Sequence, residues 1–295
     1  MTGVNQMDGT RRRRSTDAEA VVEDRPRRRP VGALRQTLSL TRAELVLFYR
    51  YRLALFFAVF PLAFVLMGLA QAGREVAPGV DSGAHYIAGS LALAPMILAI
   101  LHVTNVVTAR REQMVLKRFR VGGVSAAALF GSITFSVVLV ALLLACVGVG
   151  LLVGRFDTLP SEPVLVVLPV VLISVVITLF SAAYTRLCRN AEGAQLMSMI
   201  PFMVFYGASG LMVPLGVLPD GIAGAMRLFP VAPAAETVTS AYFGRDFFGG
   251  ADGSEALAGA DLWTAALPSV AVLLVWIALS VFLLRYFRWD PREGG

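Results

Sequence analysis

The chain has 295 residues, 57% of them hydrophobic and 16% charged, with a mean hydropathy of +0.71. That balance excludes an ordinary soluble domain of 31.6 kDa, which needs more polar surface than this chain can supply. The formal charge of +6, from 26 basic and 20 acidic residues, is distributed as expected for contact with anionic lipid and not for a nucleic-acid footprint.

Residues 1–30 carry two basic runs, Arg11–Arg14 and Arg27–Arg29, among Asp, Glu, Ser and Pro. They hold too little apolar surface to fold alone and are expected to form a disordered cytoplasmic tail. No apolar stretch before a small-residue cleavage site occurs there, so no removable signal peptide is expected and the first span itself directs insertion. From Val31 to Arg52 the pattern predicts a helix lying in the cytoplasmic interface. Leu34, Leu38, Leu45 and Phe48 fall near one side, with Arg35 and Arg42 on another.

Six uncharged stretches follow: 53–73, 82–109, 121–154, 163–185, 193–219 and 262–284. Each is long enough to cross a hydrocarbon core of roughly 30 Å, which takes about 20 helical residues. The expected fold is an all-α membrane protein with six spans, placed near 53–73, 86–108, 128–153, 164–185, 194–214 and 262–284. Residues 286–295 are expected to form a short cytoplasmic tail. Pro61, Pro95, Pro169, Pro201 and Pro268 lie inside the spans, where they kink or locally unwind helices whose freed carbonyls neighbouring helices satisfy. With both termini inside, 22 Lys and Arg fall on the cytoplasmic side and 4 outside, which fixes the expected orientation. Arg outnumbers Lys 25 to 1 among abundant Ala, Val and Gly, a composition that suggests a GC-rich bacterial genome.

Every Asp and Glu, including Glu192 and Glu236, can be placed outside the apolar cores, so a proton-driven antiporter has no evident proton carrier. His102 and Asn105 are the conspicuous polar residues of the second stretch. Cys146 and Cys188 fall in the third span and in a cytoplasmic loop, so neither a disulfide nor a metal site is expected. A phosphate-cradling Walker loop requires Gly-Lys-Ser or Gly-Lys-Thr, but the single lysine, Lys117, follows Leu116. The chain is therefore expected to bind no cofactor, and any ATPase working with it, with its ATP and Mg2+, is expected to be a separate polypeptide.

Between spans two and three runs Ala109-Arg-Arg-Glu-Gln-Met-Val-Leu-Lys-Arg-Phe-Arg-Val-Gly-Gly-Val-Ser125. A short helix here would present Val115, Leu116 and Phe119 together, a knob able to dock into a cleft on a cytoplasmic partner. The segment resembles the cytoplasmic coupling loop of ABC-2-type permeases, where a Glu-x-Gly-Thr-Leu-Lys-Arg-like run ends in a Thr-Pro-Val-Ser-like corner. Glu112, Leu116, Lys117, Arg118, Val124 and Ser125 match, while Met114 replaces the usual Gly and Gly123 the usual Pro. A second similar region begins at Phe205-Tyr-Gly-Ala-Ser-Gly210 and continues through Pro214, Leu218 and Pro219 to Pro230, with Phe229 where Asn is common. In that family these residues belong to short external helices that dip back toward the bilayer.

The resemblance spans roughly 31–285 and implies the membrane subunit of an ATP-driven exporter, working as a homodimer or heterodimer with two cytoplasmic ABC ATPase subunits. It assigns ATPase coupling to Glu112, Val115, Leu116, Lys117, Arg118 and Phe119, and structural roles to Ser209, Gly210, Pro214, Pro219 and Pro230. A path at the dimer interface would be lined by Phe56, Phe57, Phe60, Met199, Met203, Phe205 and Tyr206, since aromatic and thioether surfaces accept varied apolar cargo. The expected cargo is a drug, antibiotic or lipid-like molecule, with polysaccharide or teichoic-acid precursors as the alternative. Gly207-Ala-Ser-Gly210 also resembles the Gly-x-Ser-Gly of rhomboid-type proteases. A serine nucleophile needs an imidazole base, however, and both histidines, His85 and His102, precede Ser209, whereas the rhomboid base lies on a later span. A non-transporting membrane scaffold would differ from both in needing no ATPase.

Overall fold

The computed structural model describes residues 32–50, 56 and 59–290. The expected tail 1–30, part of the expected first span and Phe57 lie outside the described residues. Helices dominate, because a segment in lipid must pair its own backbone N–H and C=O groups. In chain order they are α1 (Ala33–Arg50), α2 (Leu62–Ala70), α3 (Ser82–Ser90), α4 (Leu93–Glu112), α5 (Val115–Val121), α6 (Ala126–Phe156), α7 (Pro163–Tyr184), α8 (Ala191–Gly207), α9 (Asp220–Arg227), α10 (Val231–Phe243) and α11 (Gly259–Leu284). A small antiparallel hairpin, β1 (Glu75–Ala77) with β2 (Val80–Asp81), precedes α3, and Asp81 caps that helix by accepting from the N–H of Gly83 and Ala84.

Among the described residues, four helices are long and apolar enough to cross a membrane: α4, α6, α7 and α11. In their most apolar 18-residue windows, 72% of α4 and 56% of α7 is buried, against 22% of α6 and 17% of α11. The first two are thus the interior of the bundle, with α7 packed between α6, α11, α10 and the middle of α4. Of the other two expected spans, 194–214 overlaps α8, with 17 residues, and the described part of 53–73 includes α2, with 9; neither helix is among those four. Three residues after Pro95 the winding of α4 widens into a π-helical stretch, Leu98–Val103. Such widenings occur where a helix is locally re-aimed. Between α8 and α11 lie α9 and α10. Nearly every side chain of α10 is buried, including Val231, Ala234, Thr237, Val238, Ala241 and Tyr242, which fits a short helix enclosed by protein.

The expected apolar side of α1 divides in the structure: Leu34 and Leu38 are 75% and 54% exposed, whereas Leu45 and Phe48 are half-buried against the bundle together with Glu44, and Thr41 is buried. α1 approaches α6 closely enough that a Cβ on Gly131 would touch Thr37, so its small polar residues face inward and several leucines outward. Hydrophobic spacing alone did not show that an ion pair would anchor the inner face.

Candidate coupling site

Five polar side chains from His102 onward in α4 reach three parts of the bundle: α1, the end of α7 and the start of α8. His102, in the π-helical stretch, packs edge-on against Phe48 of α1 with ring centroids 5.0 Å apart. Asn105 donates to Ala191 O at the start of α8 at 3.2 Å. Arg110 makes a two-pronged ion pair with Glu44 of α1, Nη2 to Oε2 at 2.7 Å, and the two side chains are only 12% and 14% exposed. Arg111, 2% exposed, donates to Thr185 O at 2.9 Å and Cys188 O at 2.7 Å, just past the end of α7. Guanidinium suits this position because its several N–H groups reach two terminal carbonyls at once while its charge complements the helix C-terminus. Glu112 accepts from Ala191 N at 3.2 Å. Consecutive residues of a helix point about 100° apart, which lets Arg-Arg-Glu hold α1, α7 and α8 simultaneously.

α4 then breaks at Met114, whose φ of 57° and ψ of 17° are left-handed, and α5 begins one residue later. α5 is amphipathic in the opposite sense to the expectation. Leu116 is fully buried, Val115 half-buried, and Phe119 is packed against the core, while Lys117, Arg118 and Arg120 are exposed and Val121 is 84% exposed. Leu116 therefore cannot be part of an outward knob: its burial holds α5 to the bundle. An open groove lined by Met114, Lys117, Arg118, Val121 and Gly122 runs along the outer side. At the next corner Ser125 Oγ accepts from Ala128 N at 3.1 Å, capping α6, and the Gln36 side chain of α1 lies 3.5 Å from both Gly123 O and Ser125 N. Arg120 stacks over Trp289, 6.0 Å away, so segments from both ends of the described chain meet at α5.

A family model described as an ABC-2 family transporter protein matches residues 74–286. The chain belongs to this family. It is a multi-pass membrane transport component, and the membership implies association with an ABC ATPase. No curated protein matches the sequence significantly. The two departures of this ABC-2 permease from the family-like loop acquire a physical meaning. Met114 adopts the conformation that glycine takes without steric cost, and Gly123, with φ of 79°, occupies one that proline, locked near −65°, cannot reach.

The path residues expected in the permease are partly brought together. Ring contacts run from Phe56 to Phe60, Phe64 and Tyr206 with centroids 5.4–6.1 Å apart, joining α8 to the segment that precedes and includes α2. Met199 and Met203 are 39% and 55% exposed on α8. Phe205 does not share this face. It is buried with Phe180, Phe229 and Trp276, its ring 6.0 Å from Phe229 and 5.7 Å from Trp276. Phe229, at the family's usual Asn, thus completes an aromatic cluster, and Trp276 Nε1 donates to Leu228 O at 2.7 Å.

The second family-like region forms the turn after α8. Ser209 Oγ donates to Tyr206 O at 2.6 Å and accepts from Leu211 N at 3.2 Å, so its proton is held by a carbonyl and not by an imidazole base. Gly210 has φ of 80° against Leu215, Pro214 and Pro219 flank the short Leu215–Val217 turn, and Pro230 opens α10. The sequence places Glu236 outside the apolar stretches and gives it no role. In the structure it sits on enclosed α10, paired with Arg227 at 3.0 Å, and burial raises its carboxyl above the usual range despite that partner. A Glu directly before a Thr- and Ser-rich helical stretch, Thr237 to Ser240, carries no sequence signal of burial.

Proposed function

We propose that this permease forms the membrane-spanning part of an ATP-driven exporter that carries a hydrophobic or amphipathic compound, such as a drug, antibiotic or lipid-like molecule, out of a bacterial cell. α4, α6, α7 and α11, together with α8 and the stretch 53–73, make six crossings of the plasma membrane, with both termini cytoplasmic. The excess of Lys and Arg on the α5 side supports that orientation. Two copies, or this chain and a paralogue, enclose the path, and two ATPase subunits bind ATP and Mg2+. This chain binds neither.

One observation carries the reading: the last three residues of α4, Arg110, Arg111 and Glu112, are bonded to α1, to the end of α7 and to the start of α8 respectively. A load applied to the outer side of α5 is therefore passed to three helices together. ATPase closure would bias the bundle between two packings, as differential contact with a partner requires. The docking surface is the exposed side, Met114, Lys117, Arg118 and Val121, and not the buried Leu116. Single cysteines test this directly. Val121→Cys should cross-link to the ATPase subunit, and Leu116→Cys should not. Cross-linking from position 116 with none from 121 would overturn the assignment.

A further inference from the structure

Past Leu284 the chain leaves the α11 winding, and residues 287–289 have no helical structure. α11 itself packs on α7 and α10, so this segment reaches from α11 across to the start of α6. Aromatic packing fixes it there. The ring of Phe287, 8% exposed, meets Phe130 of α6 edge-on with centroids 5.0 Å apart. Trp289 packs edge-on against Phe287 at 5.3 Å and lies 6.2 Å from Phe130. Edge-to-face pairs of this kind are favoured beyond the area they bury. Because Phe287 and Trp289 turn to the same ring, Arg288 between them turns away and is exposed, as alternate residues of an extended segment do. The guanidinium of Arg120, near the end of α5, lies 6.0 Å from the Trp289 ring. Arg288 is thereby set beside the outer side of α5.

Between Met114 and Ser125 the chain holds three cations, Lys117, Arg118 and Arg120, and no carboxylate. All three are exposed, and Arg288 extends them into one basic surface drawn from α5 and the C-terminal segment, with Asp290 as that segment's described carboxylate. A bilayer surface calls for exposed apolar side chains among such cations. That pattern occurs nearby at Arg285, which lies over Phe282, where the rings of Phe282 and Tyr286 are 46% and 50% exposed. Beside Arg288 the rings are buried or half-buried, which leaves charge outward and complements an acidic protein surface. We propose that the C-terminal segment is a second docking element, in which Arg288, positioned by Phe287 and Trp289, meets an acidic surface of the ABC ATPase subunit next to α5. The proposal rests on the reading of α5 as the ATPase-facing element and adds a contact that the 109–125 loop does not contain.

The test uses the full-length permease in lipid nanodiscs with the ABC ATPase subunit that co-purifies with it. Arg288→Glu should weaken ATPase binding by about five-fold or more with unchanged thermal stability, and should flatten the fall in affinity between about 50 and about 300 mM salt. Trp289→Ala, which frees Arg288 from its position, should weaken binding several-fold. Arg288→Cys should cross-link to the ATPase above the background set by the parent's own Cys146 and Cys188, as Val121→Cys does. Cross-linking from Val121→Cys with none from Arg288→Cys, or an unchanged affinity for Arg288→Glu, would overturn the C-terminal contact while leaving the α5 reading intact. Absence of cross-linking at both positions would remove the α5 reading and this proposal with it. An effect of Arg288→Glu seen in phosphatidylglycerol nanodiscs and lost in phosphatidylcholine nanodiscs would assign Arg288 to the bilayer and equally overturn the proposal.

Discussion

Arg111 provides the sharpest test of how the coupling end is held. Its guanidinium is 2% exposed and donates to two carbonyls just past α7, Thr185 O and Cys188 O, at 2.9 and 2.7 Å. Hydrogen bonds from a charged group contribute about 1.5–3 kcal/mol each, and favourable placement at a helix C-terminus adds up to about 2 kcal/mol. Recovering the cost of burying the charge offsets part of this in an Arg111→Leu variant. The expected net loss is about 3 kcal/mol. Arg111→Lys keeps the charge but satisfies one carbonyl at a time, so it should lose roughly half as much. Reversible unfolding of the purified permease in mixed micelles measures both, and binding of the ATPase subunit should weaken in the same order. An Arg111→Leu variant within about 0.5 kcal/mol of the parent, the range of a neutral surface change, would refute the reasoning.

Three further outcomes are expected. Met114→Gly should raise stability by about 0.5–1 kcal/mol in the same unfolding assay, because relief of a left-handed non-glycine residue exceeds the added freedom of the unfolded chain, and a loss would contradict the geometry. Gly83→Ala should destabilise the α2–α3 contact by more than about 1 kcal/mol, since the new Cβ would overlap Gly68 O, and an unchanged melting temperature would show that the two helices do not approach so closely. Val121→Asp should leave stability unchanged but weaken ATPase binding at least ten-fold in a pull-down titration, whereas Leu116→Asp should damage folding itself; the opposite pattern would place the docking face on the inner side of α5.

Much of this architecture is legible in the sequence because membrane-spanning helices depend on length and apolarity, properties that a linear string displays directly. The boundaries of α6, α7 and α11 fall close to the expected stretches for that reason. The direction a helix faces is less accessible. Val115, Leu116 and Phe119 form an apolar side whether they grip a partner or their own bundle, and only the packing of α5 distinguishes the two. α1 shows the same ambiguity, since the inward Glu44 beside Leu45 and Phe48 depends on Arg110, which lies 66 residues away. Phe205 and Tyr206 are neighbours in sequence yet point into different clusters. Glu236 was hidden by its own partner, since an Arg nine residues earlier permits a carboxylate to sit on a buried helix.

The central claim is that this chain supplies the conduit and a partner supplies the energy. It is tested most directly in inverted vesicles carrying the permease with or without its ATPase subunit, by following uptake of a fluorescent amphipathic amine. The account predicts concentrative uptake only with both subunits and ATP, abolished by a hydrolysis-defective ATPase. Accumulation by the permease alone, driven by a pH gradient, would contradict it.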